Sequence, residues 1–178
     1  ETSEEVEFDD SSKIVFFSDC HRGDGSWADN FAPNKIIFCS ALNYYYKKGF
    51  IYIEIGDGDE LWENRRFSDI LQEHSDVFEI MGKYHDEGRL LMIYGNHDIV
   101  KKNRSILEPV FKNIKVHEGL ILKHVPSGSK VFVVHGHQGD LINDRLWPIA
   151  RFVVRYIVKP FELIGFRNPL SPAYNTRR

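Results

Sequence analysis

Four short apolar runs, each ending in a similar polar cluster, constrain this chain more than any other feature. KIVFFSD (13–19) ends in Ser18 and Asp19, with Cys20 and His21 next. FIYIEIGD (50–57) ends in Gly56 and Asp57 and continues as Gly58, Asp59 and Glu60. RLLMIYGNHD (89–98) ends in Gly95, Asn96, His97 and Asp98, and KVFVVHGHQGD (130–140) carries His135, Gly136 and His137. Apolar, β-branched and aromatic runs of this length, bounded by Gly, Asn and Asp, read as buried strands.

Helical spacing fills the gaps between them. In NKIIFCSALNYYYKK (34–48), Ile37, Ala41, Leu42 and Tyr45 share a face, with Asn34 as N-cap and Gly49 as the stop. FSDILQEHSDVFEIMGKYHDEG (67–88) reads as one amphipathic helix closed by Gly88. IKVHEGLIL (114–122) reads as a further strand, joined to 130–140 across the turn PSGS. Strands alternating with helices predict a mainly parallel sheet covered by helices, an α/β chain of about one domain. Ligands of such sheets bind beyond the carboxyl ends of the strands. Four strand ends therefore bring carboxylate, imidazole and amide oxygen into one crevice.

Taken singly, each cluster has a plain reading. D-x-H alone is a weak ligand pair, Gly-Asp after a strand is ordinary turn chemistry, N-H-D can cap a helix, and His135 can be a satisfied core histidine. Their order and shared placement favour one site. Asp mixed with His suits Mn²⁺, Fe²⁺ or Zn²⁺, whereas carboxylates alone would favour Mg²⁺ or Ca²⁺. With two cysteines there is no structural zinc cluster. A shared aspartate lets two cations sit ~3.5–4 Å apart, and a water between them loses its proton near neutral pH.

The ordered set D-x-H, G-D-x-x-E, G-N-H-D and H-G over residues 13–140 resembles the calcineurin-like metallophosphoesterase superfamily. The resemblance implies a four-layer αββα β-sandwich flanked by helices. It also implies hydrolysis of a phosphate ester or pyrophosphate by a hydroxide bridging two divalent ions, with Mn²⁺ first and Fe or Zn as alternatives. Carried over residue by residue, Asp19 and His21 would bind one metal, Asp57 would bridge, and Asn96 and His135 would bind the second. His137 is a lesser candidate than His135. His97 would contact the phosphate and serve the leaving oxygen, and Asp98 would orient His97. Gly56 and Gly95 would permit close backbone approach. The superfamily's final G-H-x-H does not follow His137, so the expectation is a chain truncated at its C-terminus.

Within the superfamily the nearest likeness is to the UDP-2,3-diacylglucosamine pyrophosphatase-like branch, which also inserts a basic helical stretch after H-G. That branch carries Arg where this chain has His97, so its acyl-sugar nucleotide substrate is not carried over. The alternatives to this reading are a non-catalytic metal-binding or scaffold protein on the same fold, or a membrane-associated lipid or sugar-nucleotide phosphohydrolase.

Charge divides the chain into three parts. Residues 1–12 hold six acids and no base and read as an acidic disordered tail. Residues 13–144 form the core. Residues 145–178 read as a basic apolar helical insertion or lid. Its stretch 149–159, between Pro148 and Pro160, is too short to span a bilayer. It could pack on the body or a second subunit as a homodimer, cover a phosphorylated or lipid-like substrate, or touch an anionic membrane through 145–166. Arg145, Arg151 and Arg155 are its candidate substrate-binding residues. A net charge of −3 gives no specific indication of nucleic-acid binding. The acidic start lacks the apolar core of a signal peptide, and two thiols fit a reducing compartment. The expectation is a cytoplasmic protein, peripheral at most to the inner membrane face. Trp62 is read as packing or, less readily, as a platform for a substrate ring. Cys20, between two ligands, is read as pointing away from them, and His74, His85, His117 and His124 as surface or structural.

Overall fold

A computed structural model describes residues 3–139 and 146–163. The chain is a mixed α/β protein with two sheets. The first is fully parallel, in the order β2 (Ile14–Phe17), β3 (Ile51–Ile55), β4 (Leu90–Ile93) and β5 (Val116–His117). Its register pairs Ile14 with Ile51, Tyr52 with Leu90 and Met92 with Val116. The second has β1 (Glu4–Phe8) parallel to β6 (Gly119–His124), and β6 antiparallel to β7 (Lys130–Val134).

Alternation along β3 explains the layering. Tyr52 packs on the helix side with Met92, among Leu42, Phe78, Met81, Leu107 and Phe111. Ile53 and Ile93 point the other way, onto Leu120 and Leu122 of the second sheet. Successive side chains of a strand face opposite sides, so a strand covered on both faces has no polar side to show. The helices are α1 (Lys35–Lys47), α2 (Phe67–Glu73) and α3 (Ser75–Asp86). No helix of the described residues is long and apolar enough to cross a membrane.

The structure corrects four readings. Residues 4–8 form β1 inside the supposed tail. Val6 and Phe8 pack against the inter-sheet cluster, while Glu5 pairs with Lys123 and Lys130 and Glu7 with Lys123. Two apolar residues among six acids are a weak local signal, and the strand exists because β6 offers an edge. Second, 114–122 is not one strand. Residues 116–117 extend the first sheet and residues 119–124 belong to the second, so the chain changes sheets at Glu118. Third, helix 67–88 breaks at His74 (φ −110°, ψ 32°), whose Nε2 is 2.8 Å from Asp29 Oδ2.

The fourth correction concerns the insertion. Prolines do not bound its helix, which runs from Trp147 to Leu163 as α4 (Trp147–Val153), a π-helical turn (Val154–Val158) and α5 (Lys159–Leu163). Pro148 lies in the first turn, where a missing N–H costs nothing. Pro160 lies inside and would collide with the carbonyl four residues back, and the widened turn just before it relieves that clash.

Candidate metal centre

The site is built on loops that hold each other by backbone bonds. Gly56 N–H donates to Ile93 O (2.9 Å), Asp19 N–H to Gly56 O (3.2 Å), His21 N–H to Asp57 O (2.9 Å) and Arg22 N–H to Gly58 O (3.0 Å). Three of the predicted ligands sit in the left-handed region: Asp19 (φ 54°), His21 (φ 49°) and Asp57 (φ 49°). Such a conformation is uncommon outside glycine, costs about 1–3 kcal/mol per residue and persists where surrounding bonds over-determine it. The expectation for Gly56 and Gly95 holds. Gly56 has φ 69°, and a Cβ there would lie 2.7 Å from both Gly95 N and the His135 ring. A Cβ on Gly95 would run into the Asp57 carboxylate.

Asp57 is the centre of the cluster. Its Oδ2 is 3.9 Å from His21 Nε2 and 3.2 Å from His135 Nε2, and Asp19 Oδ1 is 3.9 Å from the same His21 nitrogen. In both imidazoles the other nitrogen is engaged. His21 Nδ1 meets Glu60 Oε2 at 2.7 Å, and His135 Nδ1 meets Ile55 O at 3.0 Å. A partner on Nδ1 fixes the ring and leaves Nε2 free to ligate, the usual arrangement of metal-binding histidine. Asp19, Asp57 and His135 form one donor group, and His21, Glu60 and His97 another. Asp57, with two histidine nitrogens converging on its Oδ2 and a cradle that tolerates no Cβ, fits a divalent-cation site.

Burial opposes charge on His21 and His135, but the carboxylates outweigh it. The hydrogen bond that His21 donates to Glu60 and the charges of Glu60, Asp57 and Asp19 raise His21 to about 9. Asp57 does the same for His135, also to about 9. Burial would raise Glu60, yet its bonds to His21 and His97 hold it at about 2. Both histidines thus carry protons near neutrality when no cation competes. A raised folded pKa adds stability that is full below the unfolded value near 6.5 and is lost as pH rises through about 9. Cation binding must expel those protons. Affinity for Mn²⁺ or Zn²⁺ should therefore climb from pH 6.5 to 9 with net proton release, while the metal-free protein loses thermal stability over the same range. Calorimetry in buffers of different ionisation enthalpy checks this; affinity flat across that range would contradict it.

The structure gives His97 a different orienting partner from the expected one. His97 Nδ1 lies 2.8 Å from Glu60 Oε1, so Glu60 holds both His21 and His97. Asp98 is fully buried and turned the other way. It accepts from Gly95 N–H (2.7 Å), Asp57 N–H (3.2 Å), Gly58 N–H (3.1 Å) and Lys101 Nζ (2.7 Å). Residues 97–98 form a turn into the short helical turn Ile99–Lys102, and the backbone N–H groups of Asp57, Gly58 and Gly95 draw the Asp98 carboxylate inward, away from His97. Its role is to tie the β3 and β4 loops together. The His97 N–H also donates to Asp57 Oδ1 at 2.8 Å.

Beneath the cluster lies a buried ion network. Arg22 forks onto both oxygens of Glu54 (2.8 and 2.9 Å) and reaches Asp59 (2.7 Å). Lys101 bonds Asp59 (2.6 Å) and Asp98 (2.7 Å). Tyr52 Oη donates to Glu54 at 2.8 Å. Glu54, Asp59 and Asp98 converge as a donor group of their own, but two buried cations already balance them. Cys20 packs against the helix-side apolar cluster and joins none of the donor groups, and burial pushes its thiol up to about 12.

The remaining expected residues divide. Asn96 is buried, and its backbone carbonyl accepts from Trp62 Nε1 at 2.7 Å. His137 is buried with its ring 5.6 Å from that of His135, and it joins neither donor group. His135, the preferred of the two, is the one at Asp57. Trp62 is packing, as expected, but its partner is the His97 ring. Arg155 has a structural use that the sequence did not suggest: its Nε and Nη2 donate to the carbonyls of Trp62, Leu61 and Asn64 and clamp the helix to that turn. Arg151 lies over the Trp147 ring and lines a cleft with Leu61, Phe67 and Ile106, away from Asp57's donor group. Arg145 lies outside the described residues. Glu60, Arg22 and Lys101 gained no role from sequence; Glu60 alone was visible, as the last letter of G-D-x-x-E. No family model, curated protein or solved structure matches this chain.

Proposed function

We propose that this chain is a metallophosphoesterase of the calcineurin-like type, on the αββα sandwich, hydrolysing a phosphate ester or pyrophosphate. The observation that carries the reading is the pair of imidazole Nε2 atoms, of His21 and His135, that converge on Asp57 Oδ2 at 3.9 and 3.2 Å with both Nδ1 atoms engaged. Asp19, His21 and Asp57 would hold one cation, and Asp57, His135 and Asn96 the other. Mn²⁺, Fe²⁺ and Zn²⁺ all suit that donor set. Divalent ions held there supply an activated water and neutralise charge on the phosphoryl oxygens. His97, fixed through Nδ1 by Glu60, keeps Nε2 for the phosphate or the leaving oxygen.

The rest of a phosphorylated substrate has cations to meet. A groove of about 640 Å³ is lined by Tyr94, Lys102, Arg104, His117, Phe132 and Gly136, the residue after His135. Lys102 Nζ lies 4.6 Å over the Tyr94 ring, and neither Lys102 nor Arg104 has a salt bridge among the described residues. Replacing both with Gln or Met should raise KM for an anionic substrate about tenfold, roughly 1.4 kcal/mol, and leave kcat nearly unchanged.

Metal analysis joined to hydrolysis tests the whole reading. Protein equilibrated with Mn²⁺ and passed through a desalting column should keep two equivalents and cleave nitrophenyl phosphate mono- or diesters or pyrophosphate. Two equivalents without turnover on any of these would leave a binding protein, and no retained metal would remove the site altogether.

A further inference from the structure

Helix 147–163 and His97 are joined by a chain of short contacts. Arg155 Nε donates to Trp62 O at 2.8 Å, and Nη2 donates to Leu61 O at 2.8 Å and Asn64 O at 3.0 Å. One helical turn on, Lys159 Nζ reaches Asp24 at 2.7 Å and Asn64 Oδ1 at 2.6 Å. Those carbonyls belong to the turn that follows Asp57 and Glu60. Trp62 then grips His97 from three directions. Its ring stacks on the imidazole, centroids 3.9 Å apart and planes 17° apart. Its Nε1–H donates to the carbonyl of Asn96, the residue before His97, at 2.7 Å. Its backbone N–H donates at 3.2 Å to Glu60 Oε1, the oxygen that also meets His97 Nδ1. The opposite constraint is the His21 ring, edge-on at 4.7 Å.

We propose that Arg155 and Trp62 are positioning residues through which the docked helix sets the place of the His97 imidazole. Three carbonyls held by one charged donor keep the turn closed, and charge-assisted bonds of this kind are about twice as strong as neutral ones. Without them the turn opens, the indole tilts, and His97 keeps only Glu60 and its own backbone. Any event that lifts the helix is then felt at His97. The link itself is geometric. Only its effect on turnover rests on the phosphoesterase reading.

The test follows the His97 ring signals in ¹H–¹³C spectra of histidine-labelled full chain, metal-free and zinc-loaded. An indole stacked on the ring shifts those protons by its ring current. In Arg155→Met they should move toward their positions in Trp62→Leu, and Arg155→Lys should restore part of the shift. In the active protein, kcat should fall about tenfold, the scale expected when an outer partner of a site residue is lost. KM and metal equivalents should hold. The double variant should be no slower than Trp62→Leu alone, because both act through one contact. Unmoved His97 signals in Arg155→Met, or losses that multiply in the double variant, would overturn the link. If Arg155→Met does not fold, Arg155→Lys and Trp62→Phe decide, and unmoved signals in both count against it. If no ester is cleaved even by the parent protein, the phosphoesterase reading fails, while the signals and their double-variant comparison still judge the link.

Discussion

Asp57→Asn should abolish hydrolysis and two-metal binding while the protein stays folded. The substitution keeps the shape of the side chain, so the His97 N–H keeps an oxygen to bond. What it removes is the charge on which His21 and His135 converge. Losing an outer partner of a metal ligand typically costs ~10–100-fold in affinity or activity, and loss of the shared ligand itself should exceed that. Two readouts follow. Metal equivalents after desalting should fall from two to one or none, and turnover should drop below detection. The proton-holding power of both histidines should weaken too, since Asp57 contributes to each raised value. Thermal stability near pH 7 should therefore fall modestly without loss of the far-UV spectrum. Unchanged turnover with two metals still bound would end the bridging role of Asp57.

Arg22→Met should be the most damaging substitution outside the donor set. Its guanidinium is fully buried and is the main counter-charge of Glu54, with Lys101 3.7 Å away as the lesser one. Removing one partner of a buried pair costs about 3–5 kcal/mol, because the other charge stays behind unpaired. Against a total stability of ~5–15 kcal/mol, that brings the fold close to its limit. Urea midpoints should show the loss, and Arg22→Met combined with Glu54→Gln should recover part of it, since the stranded charge goes as well. The same network has a pH signature. Burial would raise Asp59, yet Arg22 and Lys101 hold it at about 2, and Glu54 is lowered too. A depressed carboxylate contributes stability that is present above its unfolded pKa and lost as pH falls toward the folded value. The stability gap between Arg22→Met and the parent should therefore narrow as pH falls, because the stranded Glu54, no longer held down by Arg22, takes up a proton.

The two positions differ in legibility. Asp57 is visible because a buried strand followed by Gly-Asp is a local pattern, repeated at Asp19, Asn96 and His135 with the same grammar. Arg22 is not visible, since nothing local distinguishes it from a surface arginine. The same holds for Glu60, whose partners His21 and His97 lie 39 and 37 residues away. Asp98 was given to His97 by adjacency, but three backbone N–H groups from two loops and Lys101 hold it in the core.

What the sequence determined by itself is the set of strand ends, because burial pattern and turn chemistry act over a few residues and each strand carries its own copy. It also determined the donor types at those ends, and with them the kind of cation they suit. Only the tertiary structure decided which carboxylate pairs with which imidazole, that residues 4–8 are a strand, and that Arg155 faces the carbonyls of the turn after Glu60. The physical reason is range. Parallel β2, β3 and β4 set loops from distant parts of the chain side by side, and charge pairing in a buried, low-dielectric space is settled by that proximity, not by spacing along the sequence.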